Sequence, residues 1–324
     1  MKILLLSALH FTKDEIEKIQ RFGADITLFP SEKELVDSDL PAGAHVLIGK
    51  MNMLQIEMLE KCESLEWIHL PHIGMDRVPM EYLKKRRILV THSRGAVGIP
   101  ISEDIFCKIL MLARQKKTLA MQQREHIWTS DAQNRQRNTL NLHGKTIGIL
   151  GTGDVGTETA KKAKVFGMKT VGLNTSGTCV ANFDEVYITT EIDRLISQSD
   201  FIVCTLPNTK ETFHLVDKAQ FELMKPTAYI ANISRANIFN EEVLFEYLKS
   251  RKIAGAALDV FSQEPLPADN PFWDLENVII SPHCAALGDG LHERLSRIAL
   301  HNIELFCKGQ KDKMLNIRDY DKGY

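Results

Sequence analysis

Short, largely apolar runs alternate along this chain with longer stretches in which apolar positions recur every three or four residues. In the first hundred positions the runs fall at 3–6, 26–29, 46–49, 65–70 and 88–91, separated by amphipathic stretches at 14–22, 54–62 and 80–87. Runs of that length and composition fit strands covered on both faces, and their alternation with helical patterns predicts βα units in a parallel sheet.

A long helical pattern follows at about 101–126, with apolar positions at Ile101, Ile105, Ile109, Leu112 and Ala113. Beyond a polar stretch at 130–138 the strand pattern restarts at 146–150 and continues through 170–173, 201–206, 228–233, 253–260 and 278–281, with helices between, such as 241–251. A last helical pattern at 291–308 lies too far from the final strand to be its cap. It is predicted to return to the first half. The chain therefore reads as two doubly wound α/β, Rossmann-like domains with a cleft between them: an outer, flavodoxin-like substrate domain of residues 1–98 and 290–324, and an inserted dinucleotide-binding Rossmann domain of residues 99–289.

Length agrees, since 324 residues exceed one ordinary core and suggest two domains of roughly 100–200 residues. Lys plus Arg (40) nearly balances Asp plus Glu (42), so no overall field favours nucleic acid or an anionic membrane, and a small-molecule partner is expected. No apolar stretch approaches the ~18 residues of a membrane span. The six cysteines are scattered without metal-ligand spacing, which fits free thiols in a cytoplasmic protein with no metal centre.

The sharpest local motif is Gly151-Thr152-Gly153-Asp154-Val155-Gly156, directly after the strand at 146–150 and opening a helix at 155–166. The first glycine permits a tight turn, the second a close approach to a pyrophosphate, and the third close packing of helix on strand. Backbone N–H groups at the helix start then face the phosphates. Alone, three glycines at this spacing are weak evidence; the strand before, the helix after, and a second strand ending at Asn174 make the motif specific.

Polar side chains also stand just beyond strand ends: Arg235 after 228–233, Asp259 and Glu264 around the end of 253–260, and His283 after 278–281. Ligands of open α/β sheets sit outside the carboxyl ends of the strands. A cation, a carboxylate and an imidazole are thus expected beside the glycine loop. Each has an ordinary structural reading when taken alone, a histidine after a strand above all.

The segments TIGILGTGDVGTETA (146–160), LPNTKETFHL (206–215), NISRANIFNEEVL (232–244), AGAALDVFSQEPLP (254–267) and IISPHC (279–284) resemble the signature blocks of the D-isomer-specific 2-hydroxyacid dehydrogenases. The likeness spans the chain, because Ile73-Gly74-Met75-Asp76 resembles that family's substrate-carboxylate loop and 101–114 its hinge helix. It implies an NAD(P)-dependent reductase of 2-keto acids that yields D-2-hydroxy acids. Arg235 would hold the substrate carboxylate and polarise the ketone, a task suited to a bidentate guanidinium. His283 would give the alkoxide its proton, and Glu264 would orient and stabilise the imidazolium. Ile73 and Gly74 would offer backbone N–H groups to the carboxylate, and Asp259 would lie near the nicotinamide amide. The resemblance also assigns Leu206, Pro207, Thr212 and Ile233 to the cofactor. Met51, Met53, Leu70, Pro71 and His72 are expected to line a substrate pocket. His69 and His72 flank the substrate loop and merit separate attention, whereas the other histidines outside the catalytic trio take the structural reading.

Three positions depart from the family pattern: Ala236 for glycine, Asn240 for an acid, and Asn174 for the acid that usually ends the second strand. That acid binds ribose hydroxyls and repels a 2′-phosphate. With Asn174, Thr175 and Ser176 in its place, NADP is expected to be accepted, in preference to NAD. A homodimer is expected from the resemblance and from the length of the 101–126 pattern. A nicotinamide-sensing corepressor or scaffold of the same fold is the alternative reading.

Overall fold

The computed structural model describes residues 1–6, 9, 11–29, 41–49, 55–74, 78–128 and 139–320. It divides into two compact units, one of residues 1–96 and 288–324, the other of residues 97–287.

The first unit holds a five-stranded parallel sheet in the order β2-β1-β3-β4-β5, built from β1 (Lys2–Leu6), β2 (Asp25–Phe29), β3 (Val46–Ile48), β4 (Trp67–Leu70) and β5 (Leu89–His92). Helices α1 (Lys13–Arg21), α2 (Ile56–Lys61) and α3 (Met80–Lys85) lie between the strands in sequence. The inner strands β3 and β4 are buried at every position, which is why they read as apolar runs without alternation. The C-terminal helix, α10 (Leu291–Cys307), belongs to this unit and stacks Phe306 on Trp67 of β4 with ring centroids 5.1 Å apart.

Inside this sheet lies a closed polar chain. Trp67 Nε1 donates to the Thr91 hydroxyl (2.9 Å), which donates to His69 Nδ1 (2.8 Å); His69 Nε2 donates to Ser93 Oγ (3.2 Å), which donates to the carbonyl of Leu70 (3.0 Å). Only the neutral, Nε2-protonated imidazole satisfies every member. His69 is fully buried, and of its two readings the structural one accounts for every ring contact.

The second unit holds a seven-stranded parallel sheet in the order β12-β11-β10-β9-β6-β7-β8. Its strands are β6 (Thr146–Leu150), β7 (Lys169–Asn174), β8 (Glu185–Ile188), β9 (Phe201–Cys204), β10 (Tyr229–Asn232), β11 (Gly255–Leu258) and β12 (Val278–Ile280). The chain runs outward from β6 to β8, then returns to lay β9 against the other side of β6. That reversal is the switch point of a doubly wound sheet. Helices α4 (Gly98–Ala113), α5 (Lys116–Arg124), α6 (Asp154–Val165), α7 (Ile192–Gln198), α8 (Lys218–Leu223) and α9 (Glu241–Lys249) complete the unit.

Two elements differ from the sequence pattern. The single helix expected over 101–126 is two helices, broken at Gln115, which takes the left-handed conformation at φ 50°. Helix α4 buries Ile105, Phe106, Ile109, Leu112 and Ala113, whereas α5 buries none of its residues. Without an apolar stripe past Ala113, nothing holds the helix to its original line, and Lys117 Nζ fixes the new one by donating to the carbonyls of Leu275 (3.0 Å) and Val278 (2.7 Å). Strand β8 was not signalled either. It is a four-residue edge strand with one buried position, too short and too polar to stand out.

Burial pushes the His69 imidazole down to about 3, and burial with the nearby Arg318 and Arg94 pushes His92 down to about 4. An unfolded histidine titrates near 6.5, so on acidification the unfolded chain takes the proton first. The stabilisation is complete above about pH 6.5 and is lost as pH falls from there toward the folded values. We expect His69→Gln to flatten the pH dependence of the urea midpoint between pH 6.5 and 4. A slope equal to that of the parent would show that His69 does not couple folding to protons.

Candidate active site

The strand ends of the second sheet are level. Asn232 lies opposite Cys204 and Leu258, Leu258 opposite Ile280, and Leu150 opposite both Cys204 and Leu173. Every loop that leaves a carboxyl end therefore starts from one rim.

The glycine loop leaves from its centre. Gly151 adopts φ 104°, which strains any other residue, and a Cβ on Gly156 would stand 2.0 Å from the Gly151 carbonyl oxygen. Gly153 caps α6 without a side-chain hydrogen bond, so the first N–H groups of the helix are not claimed by a cap. Thr205 Oγ1 donates to the carbonyls of Leu150 (3.1 Å) and Gly151 (3.0 Å), tying the loop to the end of β9. This cradle, closed to side chains and lined by helix-start amides, fits a dinucleotide pyrophosphate. Asp154 and Val155 begin α6. Leu206 and Pro207 follow β9, where the Thr212 hydroxyl donates to the Pro207 carbonyl (2.7 Å) and accepts from Thr209 N–H (2.8 Å). Thr212 thus shapes the loop, and Ile233 is buried just past β10.

At the end of β7 the Asn174 side chain is a local hub. Its Nδ2 donates to Thr152 Oγ1 and to the Thr178 carbonyl (both 3.0 Å), while its Oδ1 accepts from the N–H groups of Ser176 (3.1 Å) and Gly177 (2.6 Å). Its amide was expected to donate to a phosphate; both of its donors are instead engaged within the loop. Thr175, Ser176 and Thr178 are exposed there.

Arg235 starts the short turn after β10. Asn232, nearly fully buried, donates through Nδ2 to the Arg235 carbonyl (3.0 Å) and accepts through Oδ1 from Ser234 N–H (3.2 Å), so the loop's main chain is held from inside the sheet. The Arg235 Nη1 donates to the Ser234 carbonyl (2.8 Å).

His283 sits two strands over, in the turn after β12. Its N–H donates to the carbonyl of Asp259 (2.9 Å), and it holds φ 50°, a conformation that costs about 1–3 kcal/mol for a residue with a Cβ. Its Nδ1 lies 2.8 Å from Glu264 Oε2. The other carboxylate oxygen, Glu264 Oε1, accepts from Phe261 N–H (3.0 Å), and Glu241 on α9 takes the Ser262 N–H (2.9 Å) and hydroxyl (2.6 Å). A pinned carboxylate accepts at Nδ1 and leaves Nε2 for proton exchange. The imidazole is half-exposed, at 51%, as a group that must reach a ligand has to be.

Asp259 is buried at 1% exposure and accepts from Lys108 Nζ (3.2 Å), the Ser281 hydroxyl, Cys284 N–H (3.2 Å) and Ala285 N–H (3.0 Å). Of the expected trio, then, Glu264 and His283 are in contact, and Arg235 stands on the neighbouring strand end. The residues missed were Lys108, Asn232 and Glu241. Lys108 had one signal: it interrupts the apolar face of α4 three residues after Ile105.

In the first unit, Ile73 and Gly74 follow β4, where His72 Nδ1 donates to the Gly74 carbonyl (3.0 Å). Met51, Met53, Met75 and Asp76 lie outside the described residues. Among the described residues no helix is long and apolar enough to cross a membrane.

Residues 106–285 match the model of the D-isomer specific 2-hydroxyacid dehydrogenase, NAD binding domain. The chain is 30% identical over 313 residues to D-3-phosphoglycerate dehydrogenase of Methanocaldococcus jannaschii, covering 96% of this chain and 58% of that longer protein. It is 30% identical over 304 residues to glyoxylate reductase of Thermofilum pendens, covering 90% of this chain and 88% of the relative. Among solved structures, a D-isomer specific 2-hydroxyacid dehydrogenase family protein from Aeromonas salmonicida superposes with a TM-score of 0.82 at 32% identity, over 99% of each chain.

Proposed function

Because the chain belongs to the D-isomer specific 2-hydroxyacid dehydrogenase family, we propose that it is a cytoplasmic, homodimeric oxidoreductase that reduces a small 2-keto acid to the D-2-hydroxy acid with NADPH or NADH. The observation that carries this reading is the contact of His283 Nδ1 with Glu264 Oε2 at 2.8 Å, on the same rim as the glycine cradle.

A bound reduced nicotinamide supplies the hydride that the carbonyl carbon accepts. The remaining work falls to side chains. The Arg235 guanidinium binds the substrate carboxylate and draws charge from the ketone oxygen. As the carbonyl becomes an alkoxide, the proton on His283 Nε2 passes to that oxygen and the imidazole is left neutral. Glu264 keeps Nδ1–H as the donor throughout and stabilises the imidazolium before the transfer. In the reverse direction Nε2 takes the hydroxyl proton back.

Cofactor choice rests on the end of β7. Asn174, not a carboxylate, ends β7, so that position does not repel a 2′-phosphate, and the exposed Thr175 hydroxyl can donate to one; the Ser176 hydroxyl and the N–H groups of residues 176–178 bond within the loop. Asn174 acts by ordering that loop, since its own donors are engaged. We therefore read NADPH as preferred. For the dimer, Met121 on α5 and Ile127 and Trp128 just beyond it are exposed, Trp128 at 94%. A second copy of the chain would cover them.

His283→Ala is expected to lower turnover roughly 10²–10⁴-fold while NADPH binding, followed by fluorescence titration, persists; near-normal turnover on a panel of 2-keto acids would remove His283 from the mechanism. Comparing kcat/KM for the two cofactors tests the preference: a value for NADH more than about tenfold above that for NADPH overturns it. Asn174→Asp should move the ratio toward NADH, because the loop loses two hydrogen bonds and gains a charge. Sedimentation should give a dimer at micromolar protein, and Trp128→Ser should weaken it; a monomeric parent contradicts this part of the reading.

A further inference from the structure

Helix α4 places a lysine where its apolar stripe should continue. Ile105, Phe106, Ile109 and Leu112 around it are buried, and Lys108 is buried with them at 4% side-chain exposure. Its Nζ bridges two carboxylates, Asp104 on the same helix and Asp259 at the end of β11, the latter at 3.2 Å. Burying charges here costs desolvation that an apolar residue would avoid, and such groups are informative where a second structure depends on them.

That second structure is the turn that carries His283. Asp259 Oδ1 takes the Ser281 hydroxyl, Cys284 N–H and Lys108 Nζ; Oδ2 takes Ala285 N–H; and the Asp259 carbonyl takes His283 N–H. Each of these hydrogen bonds to the carboxylate comes from a donor. A protonated carboxyl turns one acceptor oxygen into a donor, and one of these three donors from residues 281–285 would lose its partner. Asp104, partly exposed, and Asp259, buried, are two acids on one cation, so without Lys108 the two would be left together with no cation between them, and the buried one would be driven toward its protonated form.

We propose that Lys108 is a positioning residue: it keeps the Asp259 carboxylate ionised and, through it, fixes the turn of residues 281–285 that holds His283 in its left-handed conformation. This deepens the reductase reading and rests on it for its effect on turnover. The groups that face Asp259 are Lys108, Asp104 and the Cys284 thiol, whose own proton is held more tightly by burial and by Asp259. Lys108→Met leaves Asp259 to titrate in the folded chain.

The test uses the full chain and two readouts. By amide hydrogen exchange without substrate, Cys284 and Ala285 should exchange at least tenfold faster in Lys108→Met than in the parent at pH 6, with the difference shrinking as pH rises and Asp259 ionises. In turnover, kcat should fall about 10–100-fold at pH 6 and recover toward alkaline pH, with KM for the keto acid changing less than kcat. Lys108→Arg, which keeps the charge, should retain the parent's pH profile. If Lys108→Met does not fold, Lys108→Gln is read in the same way. Exchange at 284 and 285 equal to the parent's at every pH overturns the proposal, and so does an exchange difference that does not change with pH. A parent without turnover on any 2-keto acid removes the reductase reading and leaves the exchange experiment to decide the role of Lys108.

Discussion

Helix α6 can begin where it does only because two glycines meet. A Cβ on Gly156 would lie 2.0 Å from the carbonyl of Gly151, so the close crossing of strand β6 and its helix forbids side chains at both ends of the turn. From that contact follows the direction of α6, and with it the orientation of its first N–H groups. Strand β9 then returns beside β6 and Thr205 bonds to the turn. The rim on which the polar residues stand is the far side of the same arrangement, extended strand by strand through a level register.

The rim divides its work between main chain and side chain. Asn232 and Asp259, both at strand ends and both nearly fully buried, do not reach outward; Asn232 bonds to the backbone of the loop that follows its own strand, and Asp259 to the backbone of the turn after the neighbouring strand β12. The outward groups, Arg235, Glu264 and His283, are half-buried or exposed. Loops are normally the mobile part of such a fold. Here their first residues are bonded into the sheet, so orientation is inherited from the rigid layer.

Much of this was legible in the residues. Apolar runs marked all but one of the second sheet's strands, because a parallel strand covered on both faces has no polar alternation to blur it; β8, an edge strand, has neither cover nor run. The glycine motif and the Glu264 and His283 positions were readable because strand ends are where α/β sheets carry ligands. The break at Gln115 was not, since helical propensity continues across it and only the loss of an apolar stripe announces it. Lys108 was passed over for a related reason: periodicity finds apolar positions, and a lysine among them looks like an interruption until its partners on β11 are known. Asn174 was read as a donor to a ligand, when its turn chemistry, acceptor to two N–H groups ahead of it, is an ordinary habit of asparagine.

The bend at Gln115 separates two kinds of sequence constraint. Residues before it are answerable to the interior, where Ile105, Ile109 and Leu112 cannot change size without disturbing the sheet that carries the candidate site. Among the residues of α5 after it none is fully buried. Substitutions there can drift without loosening the core, so this stretch is free to change its surface while the strand ends keep their positions. A single left-handed residue thus separates a stretch of sequence answerable to the interior from one answerable to its surface.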